Sequence, residues 1–134
     1  MRTSIASFLL GLMGLVLIAW VSDPLAESMA RGKEVYEMNC VVCHLGQGEG
    51  LEGVNPPLAG SDYLMKNPEK AARAIKFGQR GEIVVNGVTY NSYMAELGLY
   101  DDEIADVMNY IMNSWGNKAD TLITEEWVAG IEKE

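Results

Sequence analysis

Both cysteines and the only histidine of this 134-residue chain fall within one pentapeptide, Cys40-Val41-Val42-Cys43-His44. Few folds can use such a segment. A structural zinc site takes four nitrogen or sulfur ligands, and the whole chain offers three unless carboxylates assist. A thioredoxin-type dithiol belongs in a βαβ context, which the sequence lacks, and it leaves His44 without a purpose. A disulfide between Cys40 and Cys43 closes a very small loop and contributes little. C-x-x-C-H is, by contrast, the attachment pattern for a c-type haem. Two thiols three apart on a helical turn reach the two vinyl groups on one haem edge and form thioethers, while the adjacent histidine is aimed at the iron. A covalent haem also supplies apolar interior that a domain of about 100 residues otherwise lacks.

Charge narrows the partners. Nineteen acids face ten bases, for a formal net charge of -9, and no Lys/Arg cluster offers a phosphate-binding patch. Nucleic acid is excluded on that ground, and a basic partner face is favoured. At the N-terminus, Arg2 is followed by an uncharged run from Ile5 to Val21 and then by Asp23 and Glu27. This arrangement keeps the positive end inside and exports the remainder. The run is longer than a usual signal-peptide core and at the short limit for a membrane span. Residues 1–22 therefore read as either a signal peptide or a hydrophobic N-terminal anchor helix, with membrane contact through residues 4–21, and residues 23–28 as a linker.

Beyond the linker, Met29, Gly32, Val35, Tyr36 and Met38 predict an apolar helix face that leads directly into Cys40. Glycines at 46, 48, 50 and 53, then Asn55-Pro56-Pro57, predict an irregular loop. A short helix is expected over 61–65. Asn67-Pro68-Glu69 predicts a helix start capped by Asn67, and Gly78 its end after Phe77. Glu82 to Tyr90 reads as a hairpin about Asn86-Gly87. After a loop, Asp101 is expected to cap an amphipathic helix carrying Ile104, Val107, Met108, Ile111, Met112 and Trp115, which Gly116 ends. A last short helix begins at Thr124 and carries Trp127, Val128 and Ile131.

A second iron ligand must come from elsewhere, because there is no second histidine. Of the eight methionines, Met1 and Met13 lie in the N-terminal segment. Met29, Met38, Met108 and Met112 lie on expected helices, where filling gaps in the core is the ordinary role. Met65 and Met94 remain.

Four segments in order, GKEVYEMNCVVCH, NPPLAGSDYL, VNGVTYNSYM and LYDDEIADVMNYIMNSWGN, make the chain resemble the class I monohaem cytochrome c family over Leu25 to Trp115. In detail it is similar to bacterial cytochromes that serve terminal oxidases, nitrite reductases and membrane dehydrogenases. The resemblance implies an all-α cytochrome c fold of four to five helices around one covalent haem, with a hairpin at 83–90 and a hydrophobic N-terminal helix before it. The domain would occupy 29–134, its last helix, 124–133, being an appendage.

Residue by residue, the resemblance makes His44 the proximal ligand through Nε2 and Pro56 the carbonyl that accepts from His44 Nδ1, with Pro57 as the alternative one residue on. It makes Met94 the axial partner opposite His44. Family members usually follow that methionine with proline; here Ala95 stands there, which loosens the loop. Gly32 and Tyr36 match a glycine–aromatic crossing of the first and last helices, against Tyr110. Tyr63 and Tyr90 either line the haem pocket or pack plainly in the core.

The implied function is one-electron transfer by haem c between respiratory partners (a terminal oxidase, a reductase or a membrane dehydrogenase), on the periplasmic side of the inner membrane. The protein is then either soluble or anchored. Nothing else in the chain supplies catalytic machinery, so it is not read as an enzyme. One alternative is a fixed electron-transfer subunit of a larger respiratory complex. The other is a gas-binding or peroxidatic haem protein with an open sixth site.

Overall fold

A computed structural model describes residues 23–133, and the expected N-terminal apolar segment lies outside them. Six helical segments and one hairpin are described: α1 Pro24–Asn39, α2 Val41–His44, α3 Asp62–Lys66, α4 Pro68–Phe77, β1 Ile83–Val85, β2 Val88–Tyr90, α5 Asp101–Ile111 and α6 Glu125–Ala129. Among these residues, no helix is long and apolar enough to cross a membrane.

Helix α1 starts earlier than its apolar periodicity suggests. Asp23 accepts a hydrogen bond from Leu25 N at 3.0 Å, Pro24 opens the helix, and Glu27 sits in the first turn. All three are start signals, so the stretch expected as a linker over 23–28 is the first turn of a helix. Its buried face is Ser28, Gly32, Val35 and Tyr36. Met38, expected on that face, is 70% exposed, because its position falls off the stripe set by 28, 32, 35 and 36.

The principal packing is α1 against α5. They cross at Gly32, where a β-carbon would run into the Asp106 carbonyl and lie 2.9 Å from Tyr110 Cβ. Beside the crossing, the rings of Tyr36, Tyr110 and Trp115 meet with centroids 5.0 to 5.6 Å apart. Ile104, Val107 and Met108 on α5 are fully enclosed, as expected of that stripe. The helix is capped differently from expectation. Tyr100 is the N-cap, and the Glu103 carboxylate accepts from Tyr100 N at 2.9 Å. Regular helix ends at Ile111 and turns follow; Trp115 has φ +52°. Helix α4 runs over the expected residues, but the Asn67 side chain makes no cap hydrogen bond. The hairpin pairs Ile83 with Tyr90 and Val85 with Val88. Its turn has φ +51° at Asn86 and +80° at Gly87, the pair of positive angles that Asn-Gly accommodates.

The C-terminal segment belongs to the core. Helix α6 is shorter than the expected 124–133, with Thr124 Oγ1 accepting from Trp127 N at 3.3 Å. Ile123, Val128 and Ile131 are buried in the same cluster as α1 and α5. Buried Asn109 secures it, donating to Ile123 O and accepting from Ile123 N, both at 2.8 Å. Asn109 also donates to Ser28 Oγ, which donates to Asp106, and Arg31 binds both oxygens of that carboxylate at 2.6 and 2.8 Å. One polar chain thus joins α1, α5 and the tail.

Candidate haem site

Helix α2 follows α1 after a single residue, Cys40, which is the C-cap of one and the N-cap of the other, so both cysteines and the histidine are carried at the end of the helix that crosses α5. His44 N donates to Cys40 O at 2.9 Å, and Tyr36 Oη donates to Leu45 O at 2.6 Å, fastening the loop after His44 to α1. Cys40 is buried and Cys43 exposed, and both are free thiols. Burial, with Cys43 adding to it, pushes the Cys40 thiol up to about 11. Burial also lowers the pKa of His44, partly opposed by its bond to the Pro56 carbonyl. That bond spans 3.0 Å from His44 Nδ1. A carbonyl only accepts, so Nδ1 carries the proton and the lone pair of the neutral ring is on Nε2.

Cys40, Cys43, His44, Pro56 and Met94 all line one mainly apolar cavity of about 320 Å³. Its other walls come from the 55–58 loop, α3, α4, the hairpin and the 92–97 loop, and Val107 and Ile111 of α5 form part of it. Tyr63 and Tyr90 line it too, as does Pro57, while Met65 does not; Met65 packs on the core from outside the cavity. The donor set suits a haem. It comprises two thiols on one turn, a neutral imidazole nitrogen and a thioether sulfur, with apolar walls between them.

The loop bearing Met94 is held more firmly than Ala95 in the usual proline's place suggests. Met94 N donates to Gln79 O at 3.0 Å and Gln79 N to Met94 O at 2.9 Å, an isolated antiparallel bridge. Gly78, with φ +79°, lets the chain approach: a β-carbon there would be 2.8 Å from Met94 O. Ser92 Oγ also donates to Val54 O, tying this loop to the one that holds Pro56. Asn117 anchors that second loop from beyond, accepting from Gly60 N at 2.9 Å and donating to Leu58 O at 2.8 Å. Neither Gln79 nor Asn117 is marked by any periodicity or motif, and sequence reasoning passes over both.

The cytochrome c family model matches residues 29–115. One cytochrome c-552 of Thermus thermophilus is 38% identical over 98 residues, which is 69% of this chain and 66% of that one. A second Thermus thermophilus cytochrome c-552 is 38% identical over 93 residues, 66% of this chain and 70% of its own length. The cytochrome c subunit of the quinone alcohol dehydrogenase of Gluconobacter oxydans is 37% identical over 93 residues, but the match spans only 19% of that subunit. This chain belongs to the cytochrome c family. Membership brings a covalently bound haem c and electron transfer in place of catalysis.

Proposed function

We propose that the haem is joined by thioethers to Cys40 and Cys43, with His44 and Met94 as axial ligands, and that the chain passes single electrons between respiratory redox proteins outside the cytoplasm. One observation carries this reading: the two thiols, His44 and Met94 share the walls of a single apolar cavity. The chemistry the bound group supplies is exchange of one electron between ferrous and ferric iron. The protein's part is to keep ligands and surroundings the same in both states. The Pro56 carbonyl holds the His44 ring and makes Nε2 a stronger donor. The Met94 thioether favours the reduced state and raises the potential. The Gln79 bridge keeps the Met94 backbone in place, so little has to move when the electron arrives.

The test is spectroscopic. A pyridine haemochrome assay reports one covalent haem per chain, and the reduced protein is low-spin and does not take up carbon monoxide rapidly at neutral pH. A chain without haem would end the reading. Rapid stoichiometric carbon monoxide binding would replace it with that of an open-site haem protein.

The same domain also suits a fixed subunit of a larger complex. Supporting that second reading is the likeness to one segment of a much longer dehydrogenase subunit. Purification from membranes in constant stoichiometry with a dehydrogenase or oxidase would establish it. Residues 1–22, whether cleaved as a signal or kept as an anchor, would carry the domain to the periplasmic side of the inner membrane. Mass spectrometry of the native protein distinguishes the two, since it reports haem and N-terminal processing together.

A further inference from the structure

The loop that carries Met94 runs from Asn91 to Leu99 with neither helix nor strand, between the hairpin and α5. Among the described residues, its backbone bonds to other backbone at one place, the pair between Met94 and Gln79. Gln79 stands just past the end of α4, with Gly78 between it and Phe77. A movement of the last turn of α4 therefore carries the backbone anchor of Met94 with it.

Lys76 is in that last turn. Its ammonium lies 2.9 Å from Asp101 Oδ1 and donates to Val128 O, also at 2.9 Å. Asp101 is the first residue of α5, just after the Met94 loop ends, and Val128 belongs to α6. Two ties thus join the same two stretches of chain. Gln79 holds the middle of the loop, and Lys76 holds its far end. The lysine side chain is 17% exposed and that of the aspartate 31%, so water screens the pair less than it would a surface pair. Such a pair gives up hydration on forming, and apolar residues in its place are often just as stable. What it supplies is direction, since one ammonium must meet two fixed oxygen atoms.

We propose that Lys76 is a positioning residue for the sixth ligand, tying the end of α4 to the start of α5 so that the loop keeps Met94 in the cavity. The inference rests on the reading above that Met94 is that ligand. Lys76 does not line the cavity, so it acts through α4 and Gln79. With the tie cut, α4 and α5 part more often at this end, Gln79 leaves Met94, and the loop opens. The place opposite His44 is then free for an added donor. An imidazole nitrogen binds where the thioether sulfur was, and no electron is gained or lost.

The experiment uses the haem-loaded full chain and compares wild type with Lys76→Leu and Asp101→Asn. Arg31→Gln is the control, because it removes one positive charge and breaks a different ion pair to α5, that with Asp106 at 2.6 Å. Two quantities are read. Hydrogen–deuterium exchange of peptides covering 91–99, followed by mass spectrometry, reports opening of the loop. Titration of the ferric protein with imidazole, followed by absorbance, reports access to the sixth position. Losing one hydrogen bond to a charged group from the closed form should raise the open fraction about tenfold. Lys76→Leu should therefore exchange the loop amides about tenfold faster and bind imidazole about tenfold more tightly. Asp101→Asn should move both in the same direction, and it keeps the test in force should Lys76→Leu fail to fold. Arg31→Gln should move neither. Unchanged exchange and imidazole affinity in both Lys76→Leu and Asp101→Asn would overturn the proposal. So would an equal change in Arg31→Gln, which would make the effect one of general stability. Failure of the Met94 reading looks different: wild type and Met94→Ala would then bind imidazole equally, while exchange of 91–99 would still report the tie.

Discussion

Replacing Gly32 with alanine tests the helix crossing on which the haem turn is mounted. The added methyl would meet the Asp106 carbonyl and stand 2.9 Å from Tyr110 Cβ, where carbon atoms at their optimum are about 3.5–4.0 Å apart. The obstruction is backbone and a Cβ, neither of which can swing aside, so α1 and α5 must separate by about 1 Å at the crossing. Overpacking of this kind costs about 1–3 kcal/mol. The Ser28 and Arg31 hydrogen bonds to Asp106, at 2.6 to 2.8 Å, lengthen with the same movement and add to that. Alanine's better helix propensity returns about 0.5–1 kcal/mol. The net expectation is a loss of about 2 kcal/mol, which lowers Tm by about 8–16 °C for a domain of this size. Urea unfolding of the haem-loaded protein, followed at the Soret band and by far-ultraviolet circular dichroism, measures it. A Gly32→Ala protein as stable as wild type would refute the reasoning, since the propensity gain alone could not offset a real clash.

Three further outcomes are expected. Met94→Ala should keep covalent haem but lose the low-spin spectrum and lower the midpoint potential, while Met65→Ala should leave both unchanged; a spectrum indifferent to Met94 would point to another ligand. Asn109→Ala strands the Ile123 N–H and C=O and removes a partner of Ser28, so urea unfolding should show a loss of about 2–3 kcal/mol; a loss below about 0.5 kcal/mol would mean the C-terminal segment is held by its apolar residues alone. Tyr36→Phe keeps the ring cluster but deletes the bond to Leu45 O, for about 1 kcal/mol, read as a drop in Tm with an unchanged haem spectrum.

The sequence by itself determined what depends on neighbours along the chain. C-x-x-C-H states its chemistry within five residues, since attachment needs only thiols three apart and an adjacent imidazole. Asn86-Gly87 names the turn because positive φ at both positions is a local requirement. The stripe from Ile104 to Ile111 reveals α5 because burial repeats with the helical period. Even the start at Asp23-Pro24 was written locally, although the linker reading passed it over. Tertiary structure alone decided what depends on residues distant in the chain. The Gln79–Met94 bridge joins single residues of two loops, so it has no periodicity by which to be recognised. Asn109 and Asn117 look like ordinary polar positions until folding buries them against the backbone groups of Ile123, Leu58 and Gly60. Local chemistry thus specifies the attachment of the haem, while the firmness of the Met94 loop comes from contacts that exist only in the folded chain.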